Sequence, residues 1–409
     1  MNELLKKYAS VILKTCLKVE KDQPLFISAN YERIDFVRIL ANIAYEIGVK
    51  DIYFDLTDVH LKHDALKKLS FEELKKLQFW NKEKWNEYAK KGAAFVMLAS
   101  ENPGLMKDVD SKLLSDLTIY AYETRKEFDD LRDKAMVPWC IAAVPTDSWA
   151  KQLFPNSDNA LEELWNKIFE ICNINEENPE DIWNKKIDIL TQRCKKLNEY
   201  NFKSLRYENE LGTNFTIDLP ENHIWESGKS KLVSGKEVLV NLPTEEVFTS
   251  PHCDTANGIV YSGKPLAYQD NIIDEFWIKF ENGEAIEWDA KEGKEVLTNL
   301  LTSCKGINKL GEVALVEYDS SISQSGIVFY ETLYDENAAC HLAVGAGFPE
   351  CIKDGTTTSL EDLEKQGINN CTNHVDFMIG TKDLNITGIT KEGKEIPIFK
   401  DGNFSELFK

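Results

Sequence analysis

No run of eighteen apolar residues occurs in this sequence, so no segment reads as a membrane span. No Cys-x-x-Cys occurs either. The nine cysteines (16, 140, 172, 194, 253, 304, 340, 351 and 371) are odd in number and scattered. That argues against a zinc ribbon or a disulfide framework, and for reduced thiols in a cytoplasmic protein. The opening residues, MNELLKKYASVILKTCLK, lack the unbroken apolar core and small-residue cleavage site of a signal peptide. They carry the spacing of an amphipathic helix instead.

Basic side chains are also scarce. Lys and Arg number 48 against 69 Asp and Glu, a net charge of −21. The deficit is uneven: residues 1–200 hold 30 basic and 34 acidic side chains, residues 201–409 hold 18 and 35. Binding to a phosphate backbone or an anionic bilayer rests on clustered Lys and Arg, so neither nucleic acid nor a membrane surface is an expected partner. Finally, no G-x-G-x-x-G follows a strand-like run. The one P-loop lookalike, Gly258 to Lys264, ends in Pro265 where Ser or Thr would hold magnesium, and its centre reads as a strand.

What the chain does have is a 43% apolar fraction, with 9 Trp, 14 Tyr and 20 Phe, enough for two domains with cores of their own. Up to about residue 200, helical periodicity alternates with short apolar runs such as Pro24-Leu-Phe-Ile-Ser and Ala93-Ala-Phe-Val-Met-Leu. One long helix is predicted over 108–135. Continuous apolar strands between helices predict a mostly parallel sheet covered on both faces. Beyond residue 203 the texture becomes short strands punctuated by Gly, Asn and Pro. The expectation is an N-terminal α/β domain over 1–200 and a β-rich α+β domain over 201–409.

Six histidines are few enough to weigh singly. His60-x-x-His63 opens a Lys-rich helix with no acidic or Cys partner close by, and reads as a solvated helix end. His223 sits in a polar loop. His252 follows Pro251 in a turn and is a candidate substrate contact. His374 and Asp376, two apart in an extended segment, project to one side and make an N,O pair suited to zinc, cobalt or manganese. In Asp335-Glu-Asn-Ala-Ala-Cys-His341, Asp335 is a natural cap for a helix running to about Val344. Glu336 and His341 would then lie about 140° apart around the axis. Glu245 and Glu246 are adjacent in a strand-like context, where only one can face a given side. Glu312 begins a strongly apolar strand, and a carboxylate there is costly to bury unless paired or metal-bound.

In the blocks Asn241-LPTEEVFTSPH, Gly311-EVALV, Ser323-QSGIVFYETLYDENAACHLAVG and Asn373-HVDFMIG, the sequence resembles the metallo-aminopeptidase family of aminopeptidase T and aminopeptidase S. The resemblance covers the whole chain, with its specific motifs between residues 240 and 380. It implies a cytoplasmic exopeptidase, usually a homodimer, that removes N-terminal residues from peptides with two divalent cations, zinc, cobalt or manganese. Matched position by position, it implies metal ligands at Glu246, Glu312, Glu336, His341, His374 and Asp376. Glu312 is implied as the bridge between the ions, and Glu246 and Glu312 as catalytic carboxylates. Two such ions would share a water, acidify it and polarise the scissile carbonyl.

One departure matters. The resemblance implies a tyrosine seven residues after the histidine of the D-E-N-x-x-C-H block. This chain has Phe348, in Ala346-Gly-Phe-Pro, which keeps the ring and loses the hydroxyl. An oxyanion donor contributes roughly 10²–10³ in rate. Two expectations follow: a working aminopeptidase, or a metal-binding homologue with weak or no turnover. A nucleotide-binding α/β protein, suggested by the N-terminal half alone, is opposed by the missing glycine fingerprint.

Overall fold

Short apolar runs between helices condense into a parallel sheet in the first part of the chain. The computed structural model describes residues 1–77, 79–100, 102, 104–269 and 271–409. By compactness the chain divides into two units: Met1–Asn184 with Lys229–Pro243, and Lys185–Gly228 with Thr244–Lys409.

In the first unit Leu25–Asn30 pairs in parallel with the edge strand Ile52–Thr57 on one side and with Ala94–Ala99, the middle strand of five, on the other. Trp139–Ala143 and then Asn241–Leu242 extend the sheet beyond Ala94–Ala99. Helices return the chain between strands. Ile34–Ile47 stops where Gly48 turns left-handed at φ 103°. Val59–Lys68 starts where the Asp58 carboxylate accepts the His60 and Leu61 N–H groups. Phe26 and Phe95 stack at 4.9 Å, with Trp85 and Phe128 packed around them, so aromatic burial cements one face of the sheet. The long helix expected over 108–135 is two helices, Ser111–Thr124 and Lys126–Asp133. Arg125 leaves the helical conformation between them, at φ −107° and ψ 22°. His63 is less solvated than a free helix end implies: its Nε2 lies 2.7 Å from Asp108.

The second unit is built of antiparallel sheets, as the short, Gly-punctuated strands predict. A larger sheet runs from Leu266–Tyr268 through Asn271–Glu281, Asn257–Tyr261, Asn214–Asp218, Ser204–Glu208, Asn385–Ile389 and Glu395–Lys400 to Asn403–Phe404, with Glu284–Glu292 paired to Asn271–Glu281. A five-stranded sheet has the order His374–Met378, His341–Gly345, Leu310–Leu315, Val247–Thr249, Glu226–Ser227. One apolar core joins the two, with Phe276 of the larger sheet 5.9 Å from Phe377 of the smaller. The α/β and β-rich layout is the one expected.

Candidate metal centre

Successive side chains of a strand alternate between faces. In the five-stranded sheet Val313, Leu315, Leu342, Val344 and Phe377 join the core. The residues between them face the other way. Glu312 is opposite Ala343, and Ala343 is opposite Asp376. His341 lies two residues before Ala343, and His374 two before Asp376, so all four polar side chains share the face away from the core. Small neighbours give them room: Ala314 is opposite His341, and Gly345 is opposite His374. Glu246 stands just before Val247–Thr249, the strand paired with Leu310–Leu315.

This corrects the sequence reading at His341. The helix is only Thr332–Glu336, capped by the Glu331 carboxylate on the Tyr334 N–H, and His341 opens a strand. The reason is the alternation His341-Leu-Ala-Val-Gly345, polar or small on one face and apolar on the other, lodged between two strands. That period of two is the signal in the sequence for it. Glu245 and Glu246 likewise sit immediately before their strand rather than within it.

Glu246, Glu312 and His341 bring ligand atoms within 4.8 Å of one another, and so do Glu312, His374 and Asp376. Glu312 belongs to both groups. His341 Nε2 is 3.3 Å from Glu246 and 4.0 Å from Asp376. His374 Nε2 is 3.1 Å from Glu312 and 3.2 Å from Asp376. Each imidazole is aimed from behind. His341 Nδ1 donates to Ala339 O at 3.1 Å and His374 Nδ1 to Ala346 O at 2.8 Å, which leaves both Nε2 atoms facing the carboxylates.

Two backbone features set this aim. The strand pair slips register between Leu310 and Glu312. At Gly311 a Cβ would lie 2.0 Å from Ala346 O, the same oxygen that holds His374. Asn337, fully buried, takes the Glu245 N–H on its Oδ1 at 2.7 Å and gives its Nδ2 to Leu333 O at 2.9 Å. It ties the Glu245–Glu246 corner to the Thr332–Glu336 helix. The Glu245 carboxylate is drawn off to Lys186 at 2.5 Å, which leaves Glu246 for the cluster.

The electrostatics of the site are set by burial and by its carboxylates. Glu312 is 4% exposed. Burial raises its carboxyl to about 7, against the pull of His374. Burial, then the charges of Glu246 and Asp376, push Glu336 well above the carboxylate range. Burial also opposes charge on Asp376 and on the imidazoles, but their mutual attraction wins: Asp376 falls to about 2 and His341 rises to about 10. The carboxylates of Glu246, Asp376 and Glu312 therefore draw His341 into the cationic form. Divalent cations satisfy the same field with neutral imidazoles, and mixed carboxylate and imidazole donors suit zinc, cobalt or manganese. The residues present fit such ions.

The other candidates fall as follows. Glu336 stands outside both tight groups but interacts electrostatically with Glu246, Asp376, His341 and Glu312. With Asp376, Asp335, Glu331 and Tyr330 it lines a cavity of about 40 Å³. Phe348 packs against the His374 ring at 4.8 Å and against Phe248 at 5.6 Å, and its N–H donates to Ser250 Oγ. His252 is in neither donor group. Its N–H donates to Asp218 O and its ring abuts Gly367. His223 is buried, with Nδ1 donating to Pro220 O. Gly311, Asn337 and Ser250 carry no sequence signal of a role, because each acts through a contact distant in the chain.

The pattern of the family described as thermophilic metalloprotease (M29) matches residues 1–404. The chain is 39% identical to aminopeptidase AmpS of Bacillus subtilis (strain 168) over 406 residues, 99% of each chain. It is 38% identical to aminopeptidase 2 of Geobacillus stearothermophilus, covering 98% of this chain and 97% of that one. Among solved structures, wild-type AmpT from Thermus thermophilus superposes with a TM-score of 0.92 at 31% identity, covering 98% of this chain and 99% of that one.

Proposed function

The chain belongs to the thermophilic metalloprotease family, M29, and is a metallo-aminopeptidase; from that premise we propose that it releases N-terminal residues from peptides at a centre of two divalent cations shared through Glu312. The observation that carries this reading is the presence of Glu312 in both donor groups. Glu246, Glu312 and His341 would hold one ion, and Glu312, His374 and Asp376 the other, with Glu336 as a proposed sixth donor. When bound, the ions supply Lewis acidity and acidify water at neutral pH.

This chain's own residues do the rest. Ala339 O and Ala346 O keep the two imidazoles aimed. Glu246 and Glu312 are the proposed catalytic carboxylates through their hold on the ions, and a carboxylate of the cluster not engaged by an ion takes a proton from the attacking water and returns it to the leaving amine. The small cavity beside Glu336 and Asp376, with Glu331 and Asp335 on its wall, suits a free ammonium group. That selects the peptide's N-terminus. His252 remains a proposed contact to the substrate further out. The family likeness also supports a cytoplasmic homodimer.

A second reading has its own observation: Phe348 places a ring without a hydroxyl against His374. In that reading the chain binds its ions and turns peptides over weakly or not at all. Turnover of L-aminoacyl p-nitroanilides decides between them. Chelator-sensitive release that N-acetylation of the substrate abolishes supports the aminopeptidase. Bound metal without release supports the second reading, and absence of bound metal removes both.

A further inference from the structure

Thiols that an oxidant can reach are few in this chain. Seven of the nine cysteines are buried, and Cys304 and Cys371 are the two that are only half-buried. Those two lie together: their Sγ atoms are 3.5 Å apart, across 67 residues of sequence. Cys16 and Cys140 also adjoin, but both are fully buried. Neither Cys304 nor Cys371 belongs to a donor group of the metal centre.

The surrounding backbone holds the pair in place. Cys304 lies in the turn between the helix Lys294–Leu301 and the strand Leu310–Leu315, which carries Glu312. The Ile307 N–H donates to Cys304 O at 3.3 Å and the Lys309 N–H to Gly306 O at 3.2 Å, which closes the turn. Cys371 lies in the irregular segment before His374–Met378. Asn369, in that same segment, gives its Nδ2 to Gly306 O at 2.7 Å and to Gly345 O at 2.5 Å. Gly306 is left-handed at φ +85°, and a Cβ there would lie 3.1 Å from Asn369 Oδ1 and 3.3 Å from Asn370 O. The turn and the segment are thus held against each other by contacts that do not involve the sulfurs.

Sulfurs 3.5 Å apart have about 1.5 Å left to close before they bond. Neither cysteine is in a helix or a strand, so that closure falls on side-chain rotation and irregular backbone, and no strand register has to change. The bond would enclose a loop that contains Glu312, Glu336 and His341. In a reducing compartment a bond of this kind forms on oxidation and is reduced again afterwards.

We propose that Cys304 and Cys371 are an oxidation site, closing to a reversible disulfide that braces the turn before Leu310–Leu315 to the segment before His374–Met378. The co-reactant is a low-molecular-weight disulfide. One protein thiolate attacks a sulfur of the co-reactant, which forms a mixed disulfide and releases one small thiol. The second protein thiolate attacks the protein sulfur of that mixed disulfide, which forms the internal bond and releases the other small thiol. The two protein thiols give up two protons and two electrons, and the co-reactant takes them up as two thiols. The proposal stands whether or not the metal centre turns peptides over.

Equilibration of the folded, metal-loaded full chain with glutathione disulfide, then alkylation in denaturant, tests it. Intact mass should show alkylated cysteines falling from nine to seven, and a non-reducing peptide map should place the bond between Cys304 and Cys371. Dithiothreitol should restore all nine. Because the enclosed loop is long, the bonded chain should melt about 5 °C higher than the reduced one. Cys304→Ser and Cys371→Ser should each form no internal bond and show no such rise; the wild-type measurement needs neither variant to fold. Nine alkylated cysteines, glutathione adducts without an internal bond, or a bond between other cysteines overturns the oxidation site. A bonded chain that melts no higher than the reduced one overturns the brace.

Discussion

Gly311→Ala asks whether His374 is aimed by the Ala346 carbonyl. A Cβ at position 311 would lie 2.0 Å from Ala346 O and 2.4 Å from Gly345 O, where ordinary contact is 3.4–4 Å. Relief needs a displacement of about an ångström or more, at the strand or at that carbonyl. The carbonyl holds His374 Nδ1 at 2.8 Å, so the ring loses its orientation. Losing a contact of this kind weakens metal binding about 10–100-fold, or about 1.4–2.7 kcal/mol. Overpacking adds a loss of about 1–3 kcal/mol in stability. Competition against a chromophoric chelator reads the first effect and thermal melting the second. Gly283→Ala is the control. Its Cβ would lie 2.2 Å from Cys253 O with φ +88°, in the turn before Glu284–Glu292, so it should destabilise and leave metal affinity alone. If Gly311→Ala melts lower yet binds metal as tightly as the wild type, the carbonyl is not what aims His374 and the reasoning fails.

Three further outcomes are expected. Phe348→Tyr should raise kcat on aminoacyl anilides by roughly 10²–10³, because the ring already lies against His374 and gains an oxyanion donor; unchanged hydrolysis would reject that role. Glu245→Gln should keep full metal content while its neighbour Glu246→Gln loses one ion, since Glu245 is engaged by Lys186 and Glu246 by His341; equal losses measured by plasma mass spectrometry would contradict the geometry. Burial brings the His223 imidazole from 6.5 down to about 4. Below about pH 6.5 the unfolded chain takes up a proton that the native chain does not, so stability falls as pH drops from 6.5 to 4, by about 3 kcal/mol in all. Urea unfolding across that range should show a shallower loss in His223→Gln, and parallel curves would refute the assignment.

The parallel sheet of the first unit is legible because buried strands there are continuous apolar runs, as at Ala94–Ala99, separated by helices with clear stops such as Gly48. His374 and Asp376 are legible as a pair because a strand's period of two needs no partner to be read. His341 reads wrongly as helical because a polar cap residue, Asp335, precedes a stretch with helix-forming alanines, and the local signal competes with the sheet that surrounds it. Strand pairing decides the outcome, which is tertiary information. Gly311 and Asn337 are silent for the same reason: Gly311 matters through Ala346, and Asn337 through Glu245. The asymmetry of charge points to the half of the chain in which the cluster lies, but does not distinguish Glu246 from Glu245. Only the competing partner, Lys186, does that.

The central claim is that Glu312 is shared by two ions. Plasma mass spectrometry of the purified wild-type chain and of Glu312→Gln, after equilibration with zinc, cobalt or manganese, tests it directly. Two divalent ions per chain in the wild type and none in Glu312→Gln is the predicted result. Two ions retained in Glu312→Gln, or a single ion in the wild type, would contradict it.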